Sequence, residues 1–198
     1  MRIEPLTLAN FGDYESLTAC GDDGKTCYCS YWHVRVGSFA DYDAMKAEGP
    51  EKLRRIMRGK VEAGFHVGAL AYQGDALVAW ISVGPLPEVY WCWRRVAALG
   101  AEEASKTAGI TCVTLAPSAR GRGAQAPLAS ALVGYGRARG WAAIEAYPFD
   151  ESLVRKDPKL AWPGFEKPYL QAGFTKREPH WLSRPGAERW IYRATTSP

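Results

Sequence analysis

A chain of 198 residues, 47% hydrophobic and with a net charge of +4, holds enough apolar material for a full core, and one domain over residues 1–198 is expected. No apolar run is long enough to cross a bilayer, and the start Met1-Arg2-Ile3-Glu4-Pro5 lacks the apolar centre of a signal peptide, so a cytoplasmic protein with no membrane partner is expected. Five cysteines (Cys20, Cys27, Cys29, Cys92 and Cys112), an odd number in a chain too large to need a disulfide framework, read as thiols.

Residues 2–8 alternate polar and apolar and predict a first strand, with Asn10 placed to cap a short helix. Ser38 or Asp41 can start the next helical region. Leu53, Ile56, Met57, Lys60 and Val61 recur at spacings of three and four, with Pro50 at the entry and Gly64 at the exit, and predict a helix. Two strands, 66–72 and 76–83, flank Gln73-Gly74-Asp75, a composition suited to a tight hairpin, and the run Gly84-Pro85-Leu86-Pro87 ends the second.

A strand over 110–115 then runs into Ala116-Pro117-Ser118-Ala119-Arg120-Gly121-Arg122-Gly123-Ala124-Gln125, a Gly- and Arg-rich turn, and into a helix whose Leu128, Leu132 and Tyr135 share one stripe before Gly140 stops it. The first turn of a helix leaves backbone N–H groups unpaired at its partly positive end. Gly121 and Gly123 let an anion approach the main chain and Arg120 and Arg122 add charge, so a phosphorylated ligand is expected there. A Walker loop is excluded, because Ala124-Gln125 stands where Lys-Ser or Lys-Thr is needed. The dinucleotide spacing survives through Ala126, but a turn past the middle of the chain is out of place for that fingerprint. A strand over 143–147, an irregular stretch rich in Pro and Trp, a short helix ending at Gly173, and strands over 174–177 and 190–194 complete the chain.

The turn resembles the pyrophosphate loop of the GNAT superfamily of N-acetyltransferases, Gln/Arg-x-x-Gly-x-Gly/Ala, with Arg120 and Gly123 in the first and fourth places and Gln125 where a small sixth residue is usual. Tyr169, five residues before Phe174 in Tyr-Leu-Gln-Ala-Gly-Phe, resembles the tyrosine of that superfamily which protonates the coenzyme A sulfur, and Cys27-x-Cys29-x-x-Trp32 resembles a segment of poorly characterised bacterial members. The order of elements also matches. The resemblance implies an α/β (α+β) GNAT fold: a central mixed, mostly antiparallel sheet flanked by helices, with strands splayed around an acetyl-coenzyme A cleft.

It further implies direct acetyl transfer from acetyl-CoA to a primary amine of a small molecule or protein. A non-catalytic acyl-CoA sensor is the alternative. The cofactor-binding residues implied are Val113, Thr114 and Leu115, through their backbone, with Arg120, Gly121, Arg122, Gly123, Ala124 and Gln125. Transfer also needs a base for the amine, and Glu145, Glu88 and His66 are candidates, as is a water relay. Tyr31, Trp32, Trp80 and Tyr90, joined by Trp91 and Trp93, lie where an acceptor pocket is built in that superfamily, or else form core. Cys27, Cys29 and His33, with Cys20 or Cys92, have poor spacing for zinc and no metal is expected. Arg120, Arg122, Arg137 and Arg139 fit a phosphate loop and a solvated helix at least as well as a nucleic-acid face, so no nucleic-acid partner is expected. A homodimer is compatible with the sequence.

Overall fold

The computed structural model describes residues 1–19 and 27–196. Seven strands form one sheet in the order β1-β2-β3-β4-β5-β7-β6, where β1 is Arg2–Pro5, β2 Ala69–Gln73, β3 Ala76–Pro85, β4 Thr107–Leu115, β5 Ala143–Ala146, β6 Thr175–Pro179 and β7 Trp190–Thr195. Every neighbouring pair is antiparallel except β4 and β5, which run parallel from Thr107 opposite Ala143 to Ile110 opposite Ala146. A parallel pair needs a crossover, and the helix Gln125–Ala138 supplies it.

The expected central strands form, with shifted ends. β3 runs on through Gly84 and Pro85, which pair with Gly109 and Ala108, so β4 starts at Thr107 rather than 110. A proline at a strand's last residue removes no interior ladder bond. Asn10 stands before the helix α1, Phe11–Thr18, but its side chain turns back, accepting from the Thr7 amide and donating to the Pro5 carbonyl. It therefore fixes the strand exit instead of capping the helix. Ser38 does cap α2, Phe39–Ala47, by accepting the Asp41 amide, and Pro50 opens α3, Pro50–Glu62.

Short helices at Trp93–Leu99 (α4), Ala101–Ser105 (α5) and Glu151–Lys156 (α7) are too brief to display a helical period. The Gln125–Ala138 helix is α6, and α8 is Glu166–Gln171.

Both faces of the central strands are covered. Ala69, Ala71, Ile81, Ile110 and Ile144 join Leu128 and Leu132 of α6 and Tyr169 of α8 on one face; Leu70 and Trp80 meet Phe11 and Tyr14 of α1 and Met57 of α3 on the other. Trp80, fully buried with its ring centroid 4.5 Å from that of Tyr14, therefore belongs to the core. Replacing it by alanine is expected to lower stability by about 3–5 kcal/mol, through lost burial and a residual cavity, read as an earlier urea midpoint at unchanged slope.

Candidate active site

The turn after β4 is built from three devices. The Ala116 amide returns to the Val78 carbonyl, a 3-10 turn covers Pro117–Ala119, and Arg120 Nε donates to the Leu115 carbonyl at 3.1 Å. Gly121 and Gly123 then take φ of +70° and +69°, the left-handed region that glycine enters without a Cβ clash. Among the described residues, the amides of Gly121, Arg122, Gly123 and Ala124 find no acceptor, and α6 begins at Gln125 with no side-chain cap. Consecutive unpaired amides at a helix start form a concavity for an anion. Pro127, third in the helix, removes an amide that would have had no partner there anyway.

Immediately before the turn the sheet opens. Pairing of β4 with β5 stops at Ile110 and Ala146, while β4 continues to Leu115 with only β3 beside it. On the open side the Val113 amide donates to the Trp162 carbonyl at 2.8 Å. Trp162 ends a strap in which Asp157 caps the 3-10 turn Pro158–Ala161 by accepting the Lys159 amide. Gly164, at φ +90°, follows; a Cβ there would run into the Gln125 side-chain nitrogen and lie 2.8 Å from the Tyr169 hydroxyl. Gln125, at the position where the loop pattern has a small residue, thus lies against this strap.

Tyr169 is buried, and its hydroxyl donates to the Pro163 carbonyl at 2.8 Å. Burial, with a smaller contribution from Cys112, raises its pKa. The strap thereby engages both an amide on the open side of β4 and the buried phenol of Tyr169.

The candidate carboxylates and histidines are held by other partners. Glu145 is fully buried on β5 and accepts from Arg95 Nε at 2.9 Å, from Arg95 Nη2, from Arg193 Nη1 at 3.1 Å and from the Tyr147 hydroxyl at 3.1 Å. These bonds commit its lone pairs. Arg95 also pairs with Glu178 at 2.6 Å, and Arg193 with Glu103 at 2.7 Å, so one network ties α4, α5, β5, β6 and β7. Glu88 accepts the His66 amide at 2.8 Å. His66 packs between Tyr135 and Trp141, and Tyr135 is ten residues along α6 from its start, about 15 Å from the turn.

Tyr31 and Trp32 enter an aromatic cluster with Trp91 and Trp162, while Tyr90 sits at its rim, edge-on to Trp91. Trp93 is 54% exposed. Cys29 approaches Cys112 with sulfurs 3.3 Å apart, on the β4 face away from Val113. The Cys112 bond lowers the Cys29 pKa, and the same bond, then burial, raises that of Cys112. His33 Nε2 faces the Ser82 hydroxyl at 3.1 Å instead of Cys27. Among the described residues no three potential metal ligands gather, and Cys20 lies outside them. Arg95 and the buried Arg189 carry no mark in the sequence, because their partners come from separate segments.

No protein-family model matches the chain, and no curated protein sequence matches it. Solved structures do. The aminoglycoside acetyltransferase AAC(6')-Ib in complex with coenzyme A and kanamycin superposes with a TM-score of 0.55 at 15% identity, over 98% of this chain and 93% of that one. A spermidine N-acetyltransferase chimera from Vibrio cholerae and hSSAT gives 0.56 at 10% identity, over 99% and 97%. A Desulfovibrio desulfuricans protein assigned to the GNAT acetyltransferases gives 0.52 at 15% identity, over 99% of each chain. The fold is the GNAT fold.

Two outcomes follow from the buried charges. Replacing Glu145 by alanine takes the buried counter-charge from Arg95, which keeps only the half-exposed Glu178, and is expected to cost about 3 kcal/mol in denaturant unfolding. Burial, the leading cause in each case, lowers the pKa of His33 to about 3 and of His66 to about 4, and pushes His180 down as well. Below the unfolded value near 6.5 the unfolded chain binds protons that the folded chain refuses. Stability from these groups is thus full above pH 6.5 and falls on acidification toward pH 4, with a limiting slope of about 4 kcal/mol per pH unit for three histidines, measurable by urea titration across that range.

Proposed function

We propose that this chain is an acetyl-CoA-dependent N-acetyltransferase acting on a primary amine. The observation that carries the reading is the parallel β4–β5 pair that opens after Ile110 and leads directly into a turn with four unpaired amides. An anion needs donors on rigid backbone, and Gly121–Ala124 present them with Arg122 exposed beside them. The residues therefore fit a pyrophosphate. The solved structures of the same fold include complexes with coenzyme A and with acetyl-CoA, which supports the same ligand here.

Acetyl-CoA supplies an activated thioester. Val113, Thr114 and Leu115 hold the edge along which its arm would lie, and the Val113 amide is a preoriented donor once the Trp162 carbonyl leaves it. Tyr169 is our candidate acid for a departing thiolate. Its hydroxyl proton now points to the Pro163 carbonyl, two residues from Phe165, and withdrawal of that carbonyl frees it. Glu145 is held by two arginines and serves to position β5, whereas Glu88 accepts a backbone amide with one oxygen and keeps the other. Among the candidate bases Glu88 thus keeps a free oxygen and a water relay is the alternative, with His66 turned toward Tyr135.

One observation favours a second reading, a non-catalytic acyl-CoA sensor: the strap engages both the Val113 amide and the Tyr169 hydroxyl. A panel of amines assayed for free thiol separates the two. Catalysis predicts thiol release with at least one amine, and Tyr169→Phe should then lower kcat by about a hundredfold or more while coenzyme A binding holds within about twofold. Gly123→Glu, which puts a carboxylate and a strained φ in the turn, should abolish coenzyme A binding by calorimetry. Tight coenzyme A binding without thiol release would favour the sensor, and full turnover by Tyr169→Phe would remove that residue from the chemistry.

A further inference from the structure

Arg189 lies just before β7 and is 3% exposed, yet it forms no salt bridge among the described residues. Its neighbours in the fold make the contrast plain. Arg95 holds Glu145 and Glu178, and Arg193 holds Glu145 and Glu103. A buried cation without a counter-charge is costly, and burial accordingly pulls the Arg189 pKa down.

Among the described residues one acceptor serves it. Nε and Nη2 both donate to the Tyr147 carbonyl, at 3.2 and 2.7 Å. A guanidinium carries five N–H groups, so the edge formed by Nη1 and the rest of Nη2 keeps donors with no acceptor among the described residues. Its faces are covered instead by aromatic rings: the centroids of Phe149, Trp162 and Trp32 lie 4.5, 5.0 and 5.7 Å from the guanidinium carbon. Rings soften the charge without offering a lone pair in the plane of the fork.

The same cluster holds buried donors without partners. His180 stands edge-on to Tyr147 and Trp32, and its Nδ1 accepts the Leu182 amide at 3.0 Å. That bond places the ring proton on Nε2, which is buried and has no acceptor. The indole N–H groups of Trp91 and Trp181 are buried and unpartnered too. Donors in excess and acceptors missing is the complement of an anion. A planar fork with a free edge matches a carboxylate, two oxygens at the spacing of two N–H groups.

The cluster borders the opening in the sheet. Tyr147 directly follows β5, and Trp162 spans the gap, with its carbonyl on the Val113 amide and its ring over Arg189. Val113 and Arg189 thus flank the same half-buried residue.

We propose that Arg189 anchors the carboxylate of the acceptor, so that the substrate class is an amine that also carries a carboxylate, with Trp162 as the cover that must move for it to enter. This rests on the N-acetyltransferase reading above and narrows it. Amine and carboxylate then lie on one small molecule, the first toward Val113 and the second on the free edge of the guanidinium.

The test pairs free amino acids with the amines formed by removing their carboxylate: lysine with cadaverine, phenylalanine with phenethylamine, histidine with histamine, arginine with agmatine. With the native protein and acetyl-CoA, at least one amino acid should exceed its decarboxylated partner by about tenfold in kcat/KM, mostly through KM. Arg189→Lys, which keeps the charge and loses the fork, should cut that preference, and Arg189→Gln should erase it, with coenzyme A still bound by both variants. Should Arg189→Gln not fold, Arg189→Lys and the native preference still decide. Equal or better turnover of the decarboxylated amines, or a preference that survives in both variants, overturns the proposal. Should no amine be acetylated at all, the N-acetyltransferase reading fails separately, and calorimetry of the native protein with the same pairs decides the anchor. Binding of an amino acid but not its amine, lost in Arg189→Lys, supports it, and no such binding overturns it.

Discussion

The parting of β4 from β5 after Ile110 and Ala146 is the constraint on which the rest of the molecule depends. A parallel pair cannot be closed by a short turn, so the chain must leave β4, cross one face of the sheet and return. Here the crossing is α6, and its start fixes the glycine turn against the last residues of β4. Because β4 outruns β5 by five residues, its backbone is left with donors on one side and nothing from the sheet to receive them. What fills that side is the strap, and what lies beyond it is the aromatic cluster around Arg189.

Charge in the core is distributed to match. Glu145 sits on β5 beside the point where the strands part, and Arg95, Arg193 and Tyr147 reach it from α4, β7 and the residue after β5. A carboxylate at that place clamps three elements around the seam. Arg189, a few residues from Arg193 in sequence, faces the opposite environment of rings and a single carbonyl. Two arginines of the same segment thus differ in what surrounds them.

Much of the frame was legible in sequence because it is local. The glycine turn declares itself through residues 116–125, and α3 and α6 through apolar residues every three or four positions. Boundaries shifted where tertiary pairing overrode local signals, as at Gly84 and Pro85, which look like a stop and yet pair with β4. Of the aromatic residues, Trp80 and Trp32 read alike, and only the sheet decides that one faces α1 while the other joins Trp162. Glu145 shows the limit most clearly. All four residues of β5 are buried, so alternation gives no inward side, and its arginine partners lie some fifty residues away on either hand.

Trp162 has two holds, a backbone carbonyl on β4 and a ring over Arg189, and a shift of its backbone releases both. A ligand that claims the Val113 amide must spend part of its affinity displacing the tryptophan, and a second ligand arriving at Arg189 then finds that work already done. By thermodynamic reciprocity each would strengthen the other by the same factor, with no need for a distant conformational change. A single residue in the gap would couple the two halves of the proposed site.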